Sequence, residues 1–169
     1  MLLAVDAGNT QTVLGLYDGD RLTEQRRLAT DASRTGDELG ALLGEMLDLD
    51  SVDGKLHAST GDGHIQANGR FDELELKTGD GHVDVRAGNG SALSNNWRLE
   101  TGDGSVSLEV PQSLAANVDL HTSDGHIDLD MPVTTEGTMR QNEIRGKLNG
   151  GGNLLTIRTG DGSIHLKKG

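Results

Sequence analysis

The sequence predicts a mainly β chain, with a β-solenoid (β-helix-like) repeat domain over residues 49–169 and a short β-β-β-α segment over residues 1–48. Three observations predict it. The tetrapeptide Thr-Gly-Asp-Gly recurs through the larger part, apolar and polar residues alternate on either side of each copy, and this period of two begins only beyond Leu49, where a helical period ends.

Taken in order, Leu2, Leu3, Ala4 and Val5 have the composition of a short buried strand, and residues 12–17 that of a second, closed by the turn signal Asp18-Gly19-Asp20. Residues 21–29 make a third strand. Over residues 36–47, Leu39, Leu42, Leu43 and Leu47 fall at helical spacing behind Ser33 or Thr35 as caps, so the spacing predicts one helix. Glycine then becomes frequent, and the shift in composition places a domain boundary within residues 48–53.

The repeat copies are Thr60-Gly61-Asp62-Gly63, Thr78-Gly79-Asp80-Gly81, Thr101-Gly102-Asp103-Gly104, the variant Thr122-Ser123-Asp124-Gly125, and Thr159-Gly160-Asp161-Gly162. They begin 18 (60 to 78), 23 (78 to 101), 21 (101 to 122) and 37 (122 to 159) residues apart. The last interval is near two periods, which predicts a degenerate unit over residues 139–152 with Asn149-Gly150-Gly151-Gly152 as its turn. Leu74, Leu76, Val83 and Val85 flank the second turn at alternate positions, as Trp97, Leu99, Val106 and Leu108 flank the third and Leu155, Ile157, Ile164 and Leu166 the last. Such alternation gives each strand one buried and one wet face.

Asp-Gly also closes two-residue hairpins, so stacked antiparallel hairpins are the alternative architecture. Energy favours the solenoid. One unit offers about four or five aliphatic side chains at roughly 1.5–3 kcal/mol each, against about 1–2 kcal/mol per residue for ordering its backbone. Stacking units about 4.8 Å apart merges thin layers into one core, pairs the backbone edges and sets identical turns in rows.

Tyr17, Phe71 and Trp97 are the only aromatic residues, so the core has to be built from Val, Ile, Leu and Ala. A net charge of -12 opposes the Lys and Arg clusters that nucleic acid or an anionic lipid surface demands, and nucleic acid is set aside as a partner. The absence of Cys removes disulfides, zinc thiolates and thiol nucleophiles and leaves the compartment open. The apolar residues 1–5 carry no basic n-region, meet Asp6 at once and are too few to span a bilayer. No membrane span is expected, and the cytoplasm is the default location.

The stretch Val52-Asp-Gly-Lys-Leu-His-Ala-Ser-Thr-Gly-Asp-Gly63, with Ile144-Arg-Gly-Lys-Leu-Asn-Gly-Gly-Gly152 and Leu155-Thr-Ile-Arg-Thr-Gly-Asp-Gly-Ser-Ile164, resembles a bacterial β-strand-repeat family of candidate adhesins whose function is unknown. That resemblance implies an envelope-associated β-repeat domain whose partner is an unidentified protein or envelope component. Asp6-Ala-Gly8-Asn9-Thr10, followed by Gly15-Leu-Tyr-Asp-Gly19 and Arg34-Thr-Gly-Asp-Glu-Leu-Gly40, resembles the start of a type III pantothenate kinase, of the actin-like, sugar-kinase superfamily. In that superfamily the first hairpin turn cradles nucleotide phosphates. The resemblance implies Asp6 on magnesium and Gly8, Asn9 and Thr10 on phosphate, with ATP and magnesium as cofactors. The kinase family's later segments, with its catalytic aspartate and pantothenate-contacting motif, have no counterpart after Leu47.

Together these features read as a noncatalytic scaffold or adhesin-like interaction domain without a cofactor, preceded by a phosphate-loop segment that has lost its function. The alternative is an ATP-dependent pantothenate kinase of coenzyme A biosynthesis. Asp6-Ala-Gly8-Asn9-Thr10 also suits an ordinary β-hairpin turn. Asp62, Asp80, Asp103, Asp124 and Asp161 line one corner of a solenoid, a pattern that fits calcium or a pair of glycosidase acids. Asp suits the turn itself, however; the nonapeptide spacing of calcium-binding β-rolls is absent, and no aromatic residue is placed to stack on a sugar. His64, His82 and His126 follow three of the turns and Ser105 and Ser163 the others. Such a polar row suits a transition metal or pH sensing, and the solvated-edge reading is preferred.

Overall fold

The computed structural model describes residues 2–7, 11–18, 21–29, 52–135 and 140–169, with side chains from Asp53 onward. All its elements are strands of one sheet. The helix expected over residues 36–47 lies outside the described residues.

β1 (Leu2–Ala7), β2 (Gln11–Asp18) and β3 (Arg21–Ala29) form an antiparallel meander. The repeat follows as β4 (Val52–Thr60), β5 (Ile65–Thr78), β6 (Val83–Ala87), β7 (Trp97–Thr101), β8 (Val106–Val110), β9 (Ala116–Thr122) and β10 (Ile127–Leu129). It ends with β11 (Thr134–Thr135), β12 (Glu143–Leu148), β13 (Leu154–Thr159) and β14 (Ile164–Lys168).

The two strands that flank a Thr-Gly-Asp-Gly turn do not pair with each other. Pairing runs in parallel between units, so the architecture is the solenoid and not the hairpin stack. Each turn carries the chain from one wall to the other. Wall A stacks β4, the end of β5, β7, β13 and β9; wall B stacks the start of β5, β6, β8, β14 and β10. β5 is long enough to serve both walls, pairing with β6 at residues 65–69 and with β7 at residues 75–78.

Counted along the chain, the rungs are β4 with the start of β5, the end of β5 with β6, β7 with β8, β9 with β10, and β13 with β14. In space the order is first, second, third, fifth, fourth. This corrects the expectation of a degenerate unit over residues 139–152. β12 runs antiparallel to β9, with β11 antiparallel beyond it, and residues 149–152 then carry the chain past the start of β9 into the slot between the third and fourth rungs. A backbone that reverses so sharply needs the left-handed region: Asn149 has φ 47°, Gly150 90° and Gly151 88°.

Inward residues of both walls form one core. Leu74, Leu76, Val83, Leu99, Val106, Leu108, Leu120, Leu155, Ile157, Ile164 and Leu166 have almost no exposure, and the alternation predicted for their strands holds. The core is aliphatic as expected, save for Phe71 and Trp97, which meet edge to face with centroids 6.4 Å apart. Trp97 Nε1 is the one buried side-chain polar atom without a hydrogen bond among the described residues.

The kinase-like meander continues wall A. β1 lies parallel to β4, in register from Leu2 against Lys55 to Asp6 against Ser59. Strand addition of this kind covers an edge that would otherwise stay open.

Candidate binding surfaces

At the turn edge each rung is bonded to the one before it. Gly61 O accepts from the N–H groups of Gly79 and Asp80 (2.6 and 3.1 Å), Gly79 O from Gly102 and Asp103 (2.7 and 3.1 Å), Gly102 O from Gly160 and Asp161 (2.7 and 3.1 Å), and Gly160 O from Ser123 and Asp124 (3.1 and 2.9 Å). The threonines form a second ladder. Thr78 Oγ1 donates to Gly63 O (2.9 Å), Thr101 to Gly81 O (2.7 Å), Thr159 to Gly104 O (2.6 Å) and Thr122 to Gly162 O (2.7 Å).

This stacking explains the glycines. A Cβ on Gly81 would stand 1.9 Å from Gly63 O, and on Gly104 or Gly125 2.1 Å from the carbonyl of the neighbouring rung. Gly61, in the first rung, would meet nothing within 4 Å. Asp62, Asp80, Asp103, Asp161 and Asp124 form the exposed crest of the row. Among the described residues no group of three or more His, Asp or Glu is arranged to hold a metal ion.

The histidines and serines form the row anticipated from sequence, in the order His64, His82, Ser105, Ser163, His126. His82 Nδ1 accepts from Ser105 N–H (3.0 Å), Ser105 Oγ accepts from Ser163 N–H (3.2 Å), and Ser163 Oγ lies 3.0 Å from His126 Nδ1. All three histidines are exposed. Asp84 Oδ2 lies 3.3 Å from His64 Nε2, and Asp128 Oδ2 lies 3.1 Å from both His126 and His165.

The outer faces of the two walls differ. On wall A most charges are paired: Lys55 with Glu73 (3.0 Å) and Arg158 with Asp119 (2.8 Å) across rungs, Arg98 with Glu100 (2.6 Å) along β7, and Arg145 of β12 with Asp119 (3.5 Å), while Lys77 has no side-chain partner among the described residues. The Glu100 carboxylate raises the Arg98 guanidinium above its ordinary value. Burial works to raise Glu73, but bonds from Lys55, Asn95 (2.7 Å) and His57 (3.0 Å) prevail and hold it below the carboxylate range. At the bend of β5, Arg70 bonds both Asp72 and Asp53; it is pushed up, and Asp72 is pushed down.

On wall B, Gln66, Asn68, Asp84, Arg86, Ser107, Glu109 and Lys167 line a shallow depression of about 280 Å³. Arg86 approaches Glu109 at 3.7 Å, whereas Gln66, Asn68 and Lys167 carry no side-chain partner among the described residues. Sequence reading did not single these residues out. They become neighbours only once the rung order is known, and the alternation Arg86, Glu109, Lys167 down one column is the signal that would have found them.

Asp6 stands in β1 opposite Val13 and Ser59, at the sheet end where Thr60 begins the turn row. Gly8, Asn9 and Thr10, the other residues assigned to phosphate by resemblance, lie outside the described residues.

The profile of the Toastrack DUF4097 family matches residues 45–167. The chain belongs to that family. A candidate cell adhesion protein from Clostridium sporogenes, solved as a crystal structure, shares the Toastrack chain's fold with a TM-score of 0.55 and 21% identity, over 68% of this chain and 55% of that one. Residues 2–67 match the profile of type III pantothenate kinase. Curated relatives of that kind include the enzyme from Acidothermus cellulolyticus, 52% identical over 64 residues (36% of this chain, 25% of the relative), and the one from Geobacter sulfurreducens, 53% identical over 49 residues (29% and 19%). The chain spans about a quarter of the length of the curated relatives it matches. The two profiles overlap over residues 45–67, so the kinase likeness runs through β4 and the first turn. Among the described residues no helix is long and apolar enough to cross a membrane.

Proposed function

We propose that this Toastrack chain is a noncatalytic interaction domain of the cell envelope, whose binding face is the outer side of wall B and whose kinase-like meander is a docked piece of sheet without enzymatic function. The observation that carries the reading is the contrast between the walls. Wall A pairs its outward charges apart from Lys77, while wall B gathers the uncommitted Lys167, Gln66 and Asn68 around a depression with room for a small polar group of a partner.

Retention of the purified chain on isolated envelope fractions tests it. Arg86→Ala with Lys167→Ala is expected to abolish retention with little change in melting temperature, while Arg98→Ala on wall A leaves it intact; equal retention by both variants would refute the assignment of wall B. The alternative reading, a pantothenate kinase, is favoured by the Asp6-Ala-Gly8-Asn9-Thr10 motif and by the identity of about half of the aligned residues to curated kinases. Pantothenate-dependent ADP release from magnesium ATP is expected from neither the intact chain nor Asp6→Ala. Turnover abolished by that substitution would make the chain an enzyme.

A further inference from the structure

We propose that the fifth rung, residues 153–169, is an exchangeable element whose partner is a second copy of this chain: two molecules pair by seating each other's fifth rung between the third and the fourth. β13 lies between β7 and β9, and β14 between β8 and β10, all distant along the chain. The only covalent tie from this rung back to the preceding strands is the 149–152 turn. What holds the rung is present in every copy: the Gly160 and Asp161 N–H groups on Gly102 O, Thr159 on Gly104 O, and Arg158 on Asp119. The slot in one molecule therefore fits the rung of any other, and exchange preserves these bonds while changing the turn alone.

The turn sets the balance. Three successive residues at positive φ are a conformation that an extended linker would not need. Opposing this, Asn149 Nδ2 donates to Gln112 O (2.7 Å) and Leu114 O (2.8 Å) in the closed turn. The closed monomer is the resting form, and exchange follows when the turn is opened during folding or by substitution.

The chain has no cysteine, so introduced thiols report without interference. Arg98 on β7 and Thr156 on β13 are register partners on the outer face of wall A. Arg98→Cys with Thr156→Cys in one chain is expected to close an internal disulfide, which establishes that the pair can bridge. Full-length chains carrying only Arg98→Cys are then unfolded and refolded together with chains carrying only Thr156→Cys, and compared with the same chains mixed after folding. The expected result is a disulfide-linked heterodimer after co-refolding and little after simple mixing. Adding Gly150→Ala and Gly151→Ala, the latter placing a Cβ 2.6 Å from Asn117 Oδ1, is expected to raise the yield roughly tenfold, because the closed turn alone is penalised. Equal yields with and without co-refolding, or no heterodimer while the double variant bridges internally, would overturn the proposal.

Discussion

The two edges of the solenoid follow different rules. At the turn edge all connections are four residues of nearly one sequence, bonded through backbone and threonine, and any rung stacks on any other. At the far edge the connections differ: residues 88–96 lead into the third rung, residues 111–115 into the fourth, and β11, β12 and the 149–152 turn into the fifth. The repeated edge supplies cohesion without order, and the irregular edge supplies order. A protein built from repeats needs both, since identical turns cannot tell one neighbour from another.

Substitutions that separate cohesion from order sharpen this contrast. The largest effect is expected at the turn edge, where Gly81→Ala drives a Cβ into Gly63 O and should cost about 3 kcal/mol or more of unfolding free energy in urea titration, while Gly61→Ala, with open space, stays within about 1 kcal/mol. Equal losses at the two positions would mean that stacking does not impose the glycines. Next comes the threonine ladder. Thr101→Val removes a buried donor from Gly81 O and should cost about 1–2 kcal/mol, against a smaller loss for Thr60→Val, whose turn is the first Thr-Gly-Asp-Gly copy in the sequence.

Order is the target of the third prediction. Arg158→Glu sets a carboxylate beside Asp119 and opposite Glu100, and should cost on the order of 1 kcal/mol, partly recovered by Asp119→Lys in a double-mutant cycle. No coupling between the two sites would show that the charges do not help select the slot. The smallest effect concerns acid. The Arg70 bond lowers Asp72, so its folded value is below its unfolded one; the stability it contributes is present above the ordinary value of 3.8 and is lost as the pH falls through the folded value. Asp72→Asn should therefore flatten the acid limb of the melting curve slightly, and an unchanged limb would remove Asp72 from it.

Much of the repeat was legible in the sequence because its signals are local. Val83-x-Val85 and Leu155-x-Ile157 each state a buried face within three residues, and the tetrapeptide states its own turn. The rung order was not, because the threonine and glycine bonds are the same whichever rung lies next. Only side chains distant along the chain differ: sequential stacking would set Glu100 beside His121, whereas the actual order sets it beside Arg158. The long interval before Thr159 was visible, but a skipped unit and a returning antiparallel strand lengthen the chain equally. The wall B depression was hidden for the same reason, since Arg86, Glu109 and Lys167 become a column only in three dimensions. The kinase-like opening was recognisable from one short motif and the segments after it.

The placement of the fifth rung also has a bearing on synthesis. A ribosome delivers β9 and β10 before β13 and β14, so a chain whose fourth rung settled in its final place first would hold β8 and β10 on either side of a gap that β14 has yet to fill. Their edges offer unpaired backbone groups beside aliphatic side chains during this time, which is the form of surface that aggregation and chaperones both recognise. The order in which the rungs settle thus sets how long these edges stay open.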